Sequence, residues 1–168
     1  VVDERMRTNV NNVYACGDCA EVRDFITGKT TPSRLATNAV KQAIVVAKNV
    51  CGIKSEFRPL LDNWISKTGG LYFGGCGFSR NMAERAGIKV IHSIRKTANG
   101  VMELVCDEKG TIMGFQAAEY SKCVAEALNL AAVMIRERAN VRNIDRYDFC
   151  YNPIVSDIFH PIEMLARA

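Results

Sequence analysis

The sequence predicts an α+β fold, an antiparallel sheet with helices on one side, preceded by a short strand-loop-helix piece. Three observations carry this. Residue spacing switches from strand-like to helical at Ser33 and again beyond Ala117. Turn signals at Asn99-Gly100 and Asp107-Glu108-Lys109-Gly110 separate short apolar runs suited to antiparallel strands. The polar stretch Lys54, Ser55, Glu56 and Arg58 before Pro59 divides the chain, giving expected domains at residues 1–55 and 56–168.

Taken in order, residues 12–15 form a short apolar run ending at Cys16-Gly17-Asp18, which reads as a buried strand closed by a tight turn. A loop with Gly28 and Pro32 follows. From Ser33, the residues Leu35, Ala39, Ala43, Val46 and Val50 recur at helical spacing, with Ser33 or Thr37 as candidate cap and Gly52 beyond the end. In the second part, residues 71–78 read as a Gly-rich strand, after which Ser79 caps a short helix running to Ala86 and closed by Gly87. Residues 89–94, 101–106 and 111–117 read as further strands. Val124, Leu128, Ala131, Met134 and Ile135 then set an apolar stripe on a long helix, with Arg136 and Arg138 beside the negative end of its dipole. Such a helix can cover one face of the sheet.

Composition narrows the function classes. The chain has 168 residues, 48% hydrophobic and 24% charged, an ordinary globular balance. A formal charge of +4, scattered along the chain, gives no reason to expect a nucleic-acid partner. No apolar run approaches the roughly 20 residues that span a bilayer, so no membrane partner is expected. Seven cysteines at irregular spacing suit free thiols in a reducing compartment, and a cytoplasmic location is expected. The start, Val1-Val2-Asp3-Glu4-Arg5, has no initiator Met and reads as part of a longer polypeptide.

The most informative motif is Thr8-Asn9-Val10-Asn11-Asn12-Val13-Tyr14-Ala15-Cys16-Gly17-Asp18. A strand can carry the chain to a ligand, Gly17 removes a Cβ where backbone approaches it, and Asp18 offers a carboxylate acceptor to a hydroxyl. The motif resembles the second flavin-binding signature of the pyridine nucleotide-disulfide oxidoreductases. The stretch Ser33-Arg34-Leu35-Ala36-Thr37-Asn38-Ala39 is similar to the family's next helix, whose amino end points at the flavin ring. The resemblance implies FAD contacts at Gly17, Asp18, Leu35, Ala36 and Thr37, Asp18 meeting the ribityl chain and the helix end stabilising reduced flavin. It also implies that residues from about Leu60 onward form the FAD/NAD-linked reductase dimerisation domain, that residues before them are the last piece of an FAD-binding domain, and that the protein is a homodimer. NAD(P)H, the remaining FAD/NAD-binding part and the nucleophilic cysteine are expected upstream, so no catalytic residue is assigned within the chain.

The carboxy-terminal segment Tyr151-Asn152-Pro153-Ile154-Val155-Ser156-Asp157 refines the comparison. Dithiol members such as glutathione and lipoamide reductases carry His-Pro-Thr here, whereas Asn152 cannot exchange a proton near neutral pH. Tyr151, Pro153 and Ser156 are closer to the single-cysteine branch of NADH oxidases and CoA-disulfide reductases, although His160-Pro161 stands where Asp-Pro is usual. The resemblance makes Tyr151 the candidate substrate-binding hydroxyl; its alternative is a core or interface tyrosine with a satisfied hydroxyl. The implied electron acceptor is oxygen or a small thiol, disulfide or sulfur compound. His160 as a base ranks below a structural histidine.

Two other patterns carry less. Cys16-Gly17-Asp18-Cys19 is a Cys-x-x-Cys without the further ligands of a zinc site, so no metal is assigned; a zinc or redox protein remains an alternative, as does a stand-alone association module. The glycines at 69, 70, 74, 75 and 77 match neither dinucleotide nor P-loop spacing and read as places of close backbone packing. Cys51, Cys76, Cys106, Cys123 and Cys150 read as small hydrophobes.

Overall fold

The computed structural model describes residues 1–154 and 156–168, in two compact units, Val1–Asp62 and Asn63–Ala168.

In the first unit the chain opens with a tight double-back. Arg7 and Tyr14 form an isolated antiparallel bridge, with Thr8 N–H donating to Val13 O at 2.9 Å and Ala15 N–H to Met6 O at 3.1 Å. The buried strand expected at residues 12–15 is therefore absent. Val13 is exposed, and the Asn-rich stretch before it spends its backbone on the turn rather than on a ladder. The expected loop holds a small hairpin, β1 (Glu21–Arg23) with β2 (Thr30–Pro32), its turn held by Asp24, whose Oδ1 accepts from Thr27 N at 2.7 Å. The helix α1 (Ala36–Val50) is present, but neither Ser33 nor Thr37 caps it; Leu35 is the N-cap and contributes no side-chain hydrogen bond.

The α1 stripe also differs from the expected one. Asn38, Gln42 and Val45 are buried, with Val46 partly so, whereas Ala43 and Val50 are exposed. The cause is the helix's second apolar face: Val40 and Ile44 are 61% and 51% exposed, and periodicity cannot choose between two apolar faces. Met6, Ala20, Val22, Val45 and Leu60 make the unit's core. Leu60 and Phe57 place the unit boundary later than residue 55. Phe57 donates its N–H to Glu4 O, and Leu60 bonds Arg23 and Phe25 through its backbone.

The second unit follows the sequence closely. Five antiparallel strands, β3 (Asn63–Thr68), β4 (Leu71–Gly77), β5 (Val90–Thr97), β6 (Gly100–Asp107) and β7 (Ile112–Glu119), pair in the order β3-β4-β7-β6-β5. α2 (Arg80–Arg85) is capped as expected, Ser79 Oγ accepting from Met82 N at 3.3 Å. α3 (Cys123–Arg136) buries Val124, Ala127, Leu128, Ala131, Met134 and Ile135. The register places Met102, Leu104, Phe115, Ala117, Gly74 and Cys76 on one sheet face, and α3 packs on β3, β4 and β7. A 3-10 helix (Val141–Arg146) and α4 (Pro161–Ala166) complete the helical layer, with α4 packed on β5 and β6.

Two glycines show why the strands are Gly-rich. A Cβ at Gly74 would lie 2.3 Å from Trp64 O and 2.7 Å from Leu128 Cδ1, and one at Gly114 would lie 1.7 Å from Phe78 O. Both let backbone or helix approach closer than any side chain permits. On the opposite sheet face, Trp64, Gly75, Gln116, Glu103 and Ile94 form one cross-strand row, with Trp64 42% and Ile94 58% exposed at its ends. Among the described residues, no helix is long and apolar enough to cross a membrane.

Candidate functional site

Gly17 and Asp18 lie in the first unit on the turn after the Arg7–Tyr14 bridge. Gly17 has φ +82°, a conformation that side chains rarely adopt, and its N–H donates to Gln42 Oε1 at 2.7 Å. A Cβ built on it would stand 3.8 Å from Ala39 Cβ. The Gly-Asp turn is thus seated on the amino-terminal half of α1. Asp18 is exposed, and among the described residues its carboxylate has no hydrogen-bond partner, so it is open to accept a hydroxyl.

Leu35 is half-buried, while Ala36 and Thr37 are exposed at the start of α1. With no side-chain cap and no acidic residue in its first turn, this helix end keeps its positive dipole unneutralised. Behind it lie three buried polar atoms without partners: Ser33 Oγ, Asn38 Nδ2 and Gln42 Nε2. Each unmade buried hydrogen bond costs about 1–3 kcal/mol, and none of these three atoms reaches solvent. Asn38 and Gln42, one turn apart, are the residues periodicity missed. Their signal was polar identity inside an apolar repeat.

Cys16 and Cys19 flank this turn as free thiols, and Cys19 Sγ donates to Cys16 O at 3.4 Å. Among the described residues no group of three or more His, Cys, Asp or Glu side chains is placed to hold a metal.

Tyr151 lies in the second unit, 54% exposed. Its neighbours explain its presentation. Asn152 Oδ1 accepts from Ile154 N at 2.9 Å, Asn152 N–H donates to Ser156 Oγ at 3.1 Å, and that hydroxyl donates to Cys150 O at 3.2 Å. Asn152 therefore builds a turn; Val155 lies outside the described residues. The surrounding segment exposes Tyr147, Tyr151, Ile154, Ile158 and Phe159. His160 is tied at both nitrogens: Nδ1 accepts from Ile162 N at 3.3 Å to cap α4, and Nε2 lies 3.2 Å from Glu126 Oε2. Its ring stacks on Phe149 at 5.0 Å. Through that bond His160 caps the start of α4.

The comparisons bear on both units. Residues 1–43 match the family described as pyridine nucleotide-disulphide oxidoreductase. A NADH oxidase of Methanocaldococcus jannaschii is 32% identical over 99% of the chain, and a CoA-dependent NAD(P)H sulfur oxidoreductase of Pyrococcus furiosus is 30% identical over 98%. At the family level this chain matches the pyridine nucleotide-disulphide oxidoreductases. It spans 39% of the length of each of those two relatives. The NAD-dependent persulfide reductase of A. fulgidus superposes over 99% of this chain and 32% of its own, with TM-score 0.91 and 24% identity. The water-forming NADH oxidase of Lactobacillus brevis gives TM-score 0.89 at 22% identity over 99% of this chain and 39% of its own. These likenesses show the fold, an antiparallel sheet with helices on one face, shared with those two chains.

Proposed function

We propose that the chain is the carboxy-terminal part of an FAD-dependent NAD(P)H oxidoreductase of the NADH oxidase or CoA-disulfide and sulfur reductase type. The observation that carries this is the seating of the Gly17-Asp18 turn on α1, through the Gly17–Gln42 hydrogen bond of 2.7 Å and the close approach to Ala39. It brings an unpartnered carboxylate and an uncapped helix end into one element pair, as a flavin site requires.

When bound, FAD supplies hydride acceptance from a nicotinamide and onward electron transfer. The chain's own part would be to bind and orient: Asp18 would hold FAD by accepting a hydroxyl, and the start of α1 at Leu35, Ala36 and Thr37 would favour negative charge placed beside it. The nucleophilic cysteine and the nicotinamide site belong to sequence upstream of Val1. The second unit is the homodimerisation domain, a reading supported by the exposed Trp64 and Ile94 on one sheet face and by the exposed apolar segment around Tyr151. Tyr151 is the hydroxyl offered to substrate. Seven free thiols suit a cytoplasmic protein.

The test is anaerobic titration of the full polypeptide carrying this chain with NADH and NADPH. The flavin band should bleach with one of them and return on adding oxygen, CoA disulfide or a persulfide. A flavin that neither nucleotide reduces contradicts the proposal.

A further inference from the structure

We infer that Gln42 is a positioning residue for the flavin segment, setting the backbone of Gly17 and through it the direction of the Asp18 carboxylate; the inference rests on the function proposed above. Gln42 has no accessible surface, and its side-chain Oε1 takes the Gly17 N–H at 2.7 Å. Across 25 residues of sequence, this bond ties the turn to the middle of α1. The other half of the same amide, Nε2, is buried with no partner.

That imbalance is informative. A helix position meant only to fill the core is served by Leu or Met, which bury no polar atom and form helix as well as Gln does. A buried amide with one group satisfied and the other orphaned is retained for the satisfied group, here the acceptor oxygen. The turn needs an external acceptor because Gly17, at φ +82°, projects its N–H away from the local hairpin and toward α1. Remove the acceptor, and a buried N–H and a left-handed glycine are left to settle elsewhere, carrying Asp18 with them.

Two substitutions separate the oxygen from the volume. Gln42→Met keeps the size and removes the acceptor, whereas Gln42→Glu keeps both the shape and an acceptor oxygen. Hydrogen exchange of the Gly17 amide is read in this chain. FAD dissociation and the visible circular dichroism of bound FAD are read in the full polypeptide that carries it. Gln42→Met should speed Gly17 exchange by about tenfold, weaken FAD by a similar factor and alter the dichroism, the expected scale for losing one buried hydrogen bond. Gln42→Glu should restore all three, most fully at mildly acidic pH where the buried acid is neutral.

Unchanged Gly17 exchange and FAD affinity in Gln42→Met overturn the inference. So does a uniform rise in exchange across the first unit that Gln42→Glu fails to reverse, because that pattern marks a packing role only. If the wild-type polypeptide binds no FAD, the function proposal fails by itself, while Gly17 exchange still decides whether Gln42 sets the turn.

Discussion

Asn49, in the last turn of α1, ties that helix to two other segments of the first unit, and its removal has a calculable cost. Its Nδ2 faces Ser55 O at 2.8 Å, Val45 O at 2.9 Å and Arg5 O at 3.3 Å, while its Oδ1 accepts from Ser55 N at 3.2 Å. Two amide hydrogens serve three carbonyls, so the side chain makes three full bonds, one of them shared. At about 1 kcal/mol net for each, less about 0.5 kcal/mol for the better helix propensity of Ala, Asn49→Ala should cost about 2.5 kcal/mol. Asn49→Asp should cost more, since it turns a donor into a charged oxygen against three carbonyls. Urea denaturation, with amide exchange of α1 as the local readout, measures both. An alanine variant within about 0.5 kcal/mol of wild type, or an aspartate variant more stable than the alanine one, refutes the bond accounting.

Other outcomes follow from packing and titration. Gly114→Ala should abolish the native fold of the second unit, as seen by loss of near-UV circular dichroism, because its Cβ would lie 1.7 Å from Phe78 O. Leu128→Ala, at a site 1% exposed between α3 and the sheet, should cost about 2–5 kcal/mol in denaturant titration. Burial and the nearby Asp24 charge raise the pKa of Asp62 above its ordinary 3.8, so its ionisation opposes folding. Asp62→Asn should therefore stabilise the chain at neutral pH, with the gain fading as pH falls through the raised folded-state value and gone below the ordinary one, where both states are protonated. Burial, with the Asp107 charge, pushes the Cys106 thiol up to about 12. Native labelling with a thiol reagent should modify the exposed Cys19, Cys51, Cys123 and Cys150 and leave Cys76 and Cys106 untouched until unfolding.

What the sequence displayed was the second unit. β4, α2, β5, β6, β7 and α3 were all legible, because Asn99-Gly100, the Asp107 turn, the Ser79 cap and the α3 stripe are local signals that tertiary packing reinforces. β3 was not, since an edge strand with five exposed residues has no buried face to impose alternation. The first unit misled more. Residues 12–15 looked apolar enough for a strand, yet Asn9, Asn11 and Asn12 form a turn whose bonds are local. On α1 the apolar repeat pointed to one face, and the buried face carries Asn38 and Gln42 instead. The Gly17-Asp18 pair was readable because glycine and aspartate at a turn have few interchangeable replacements; the acceptor that holds Gly17, 25 residues away, has no local signature.

The flavin assignment stands or falls on FAD content in the full polypeptide carrying this chain, measured by visible absorbance after desalting, for wild type beside Asp18→Ala. The account predicts about one flavin per chain in wild type and, with the ribityl hydroxyl deprived of a charged acceptor, at least about tenfold weaker retention in the variant. Equal flavin in both proteins, or none in wild type, contradicts it.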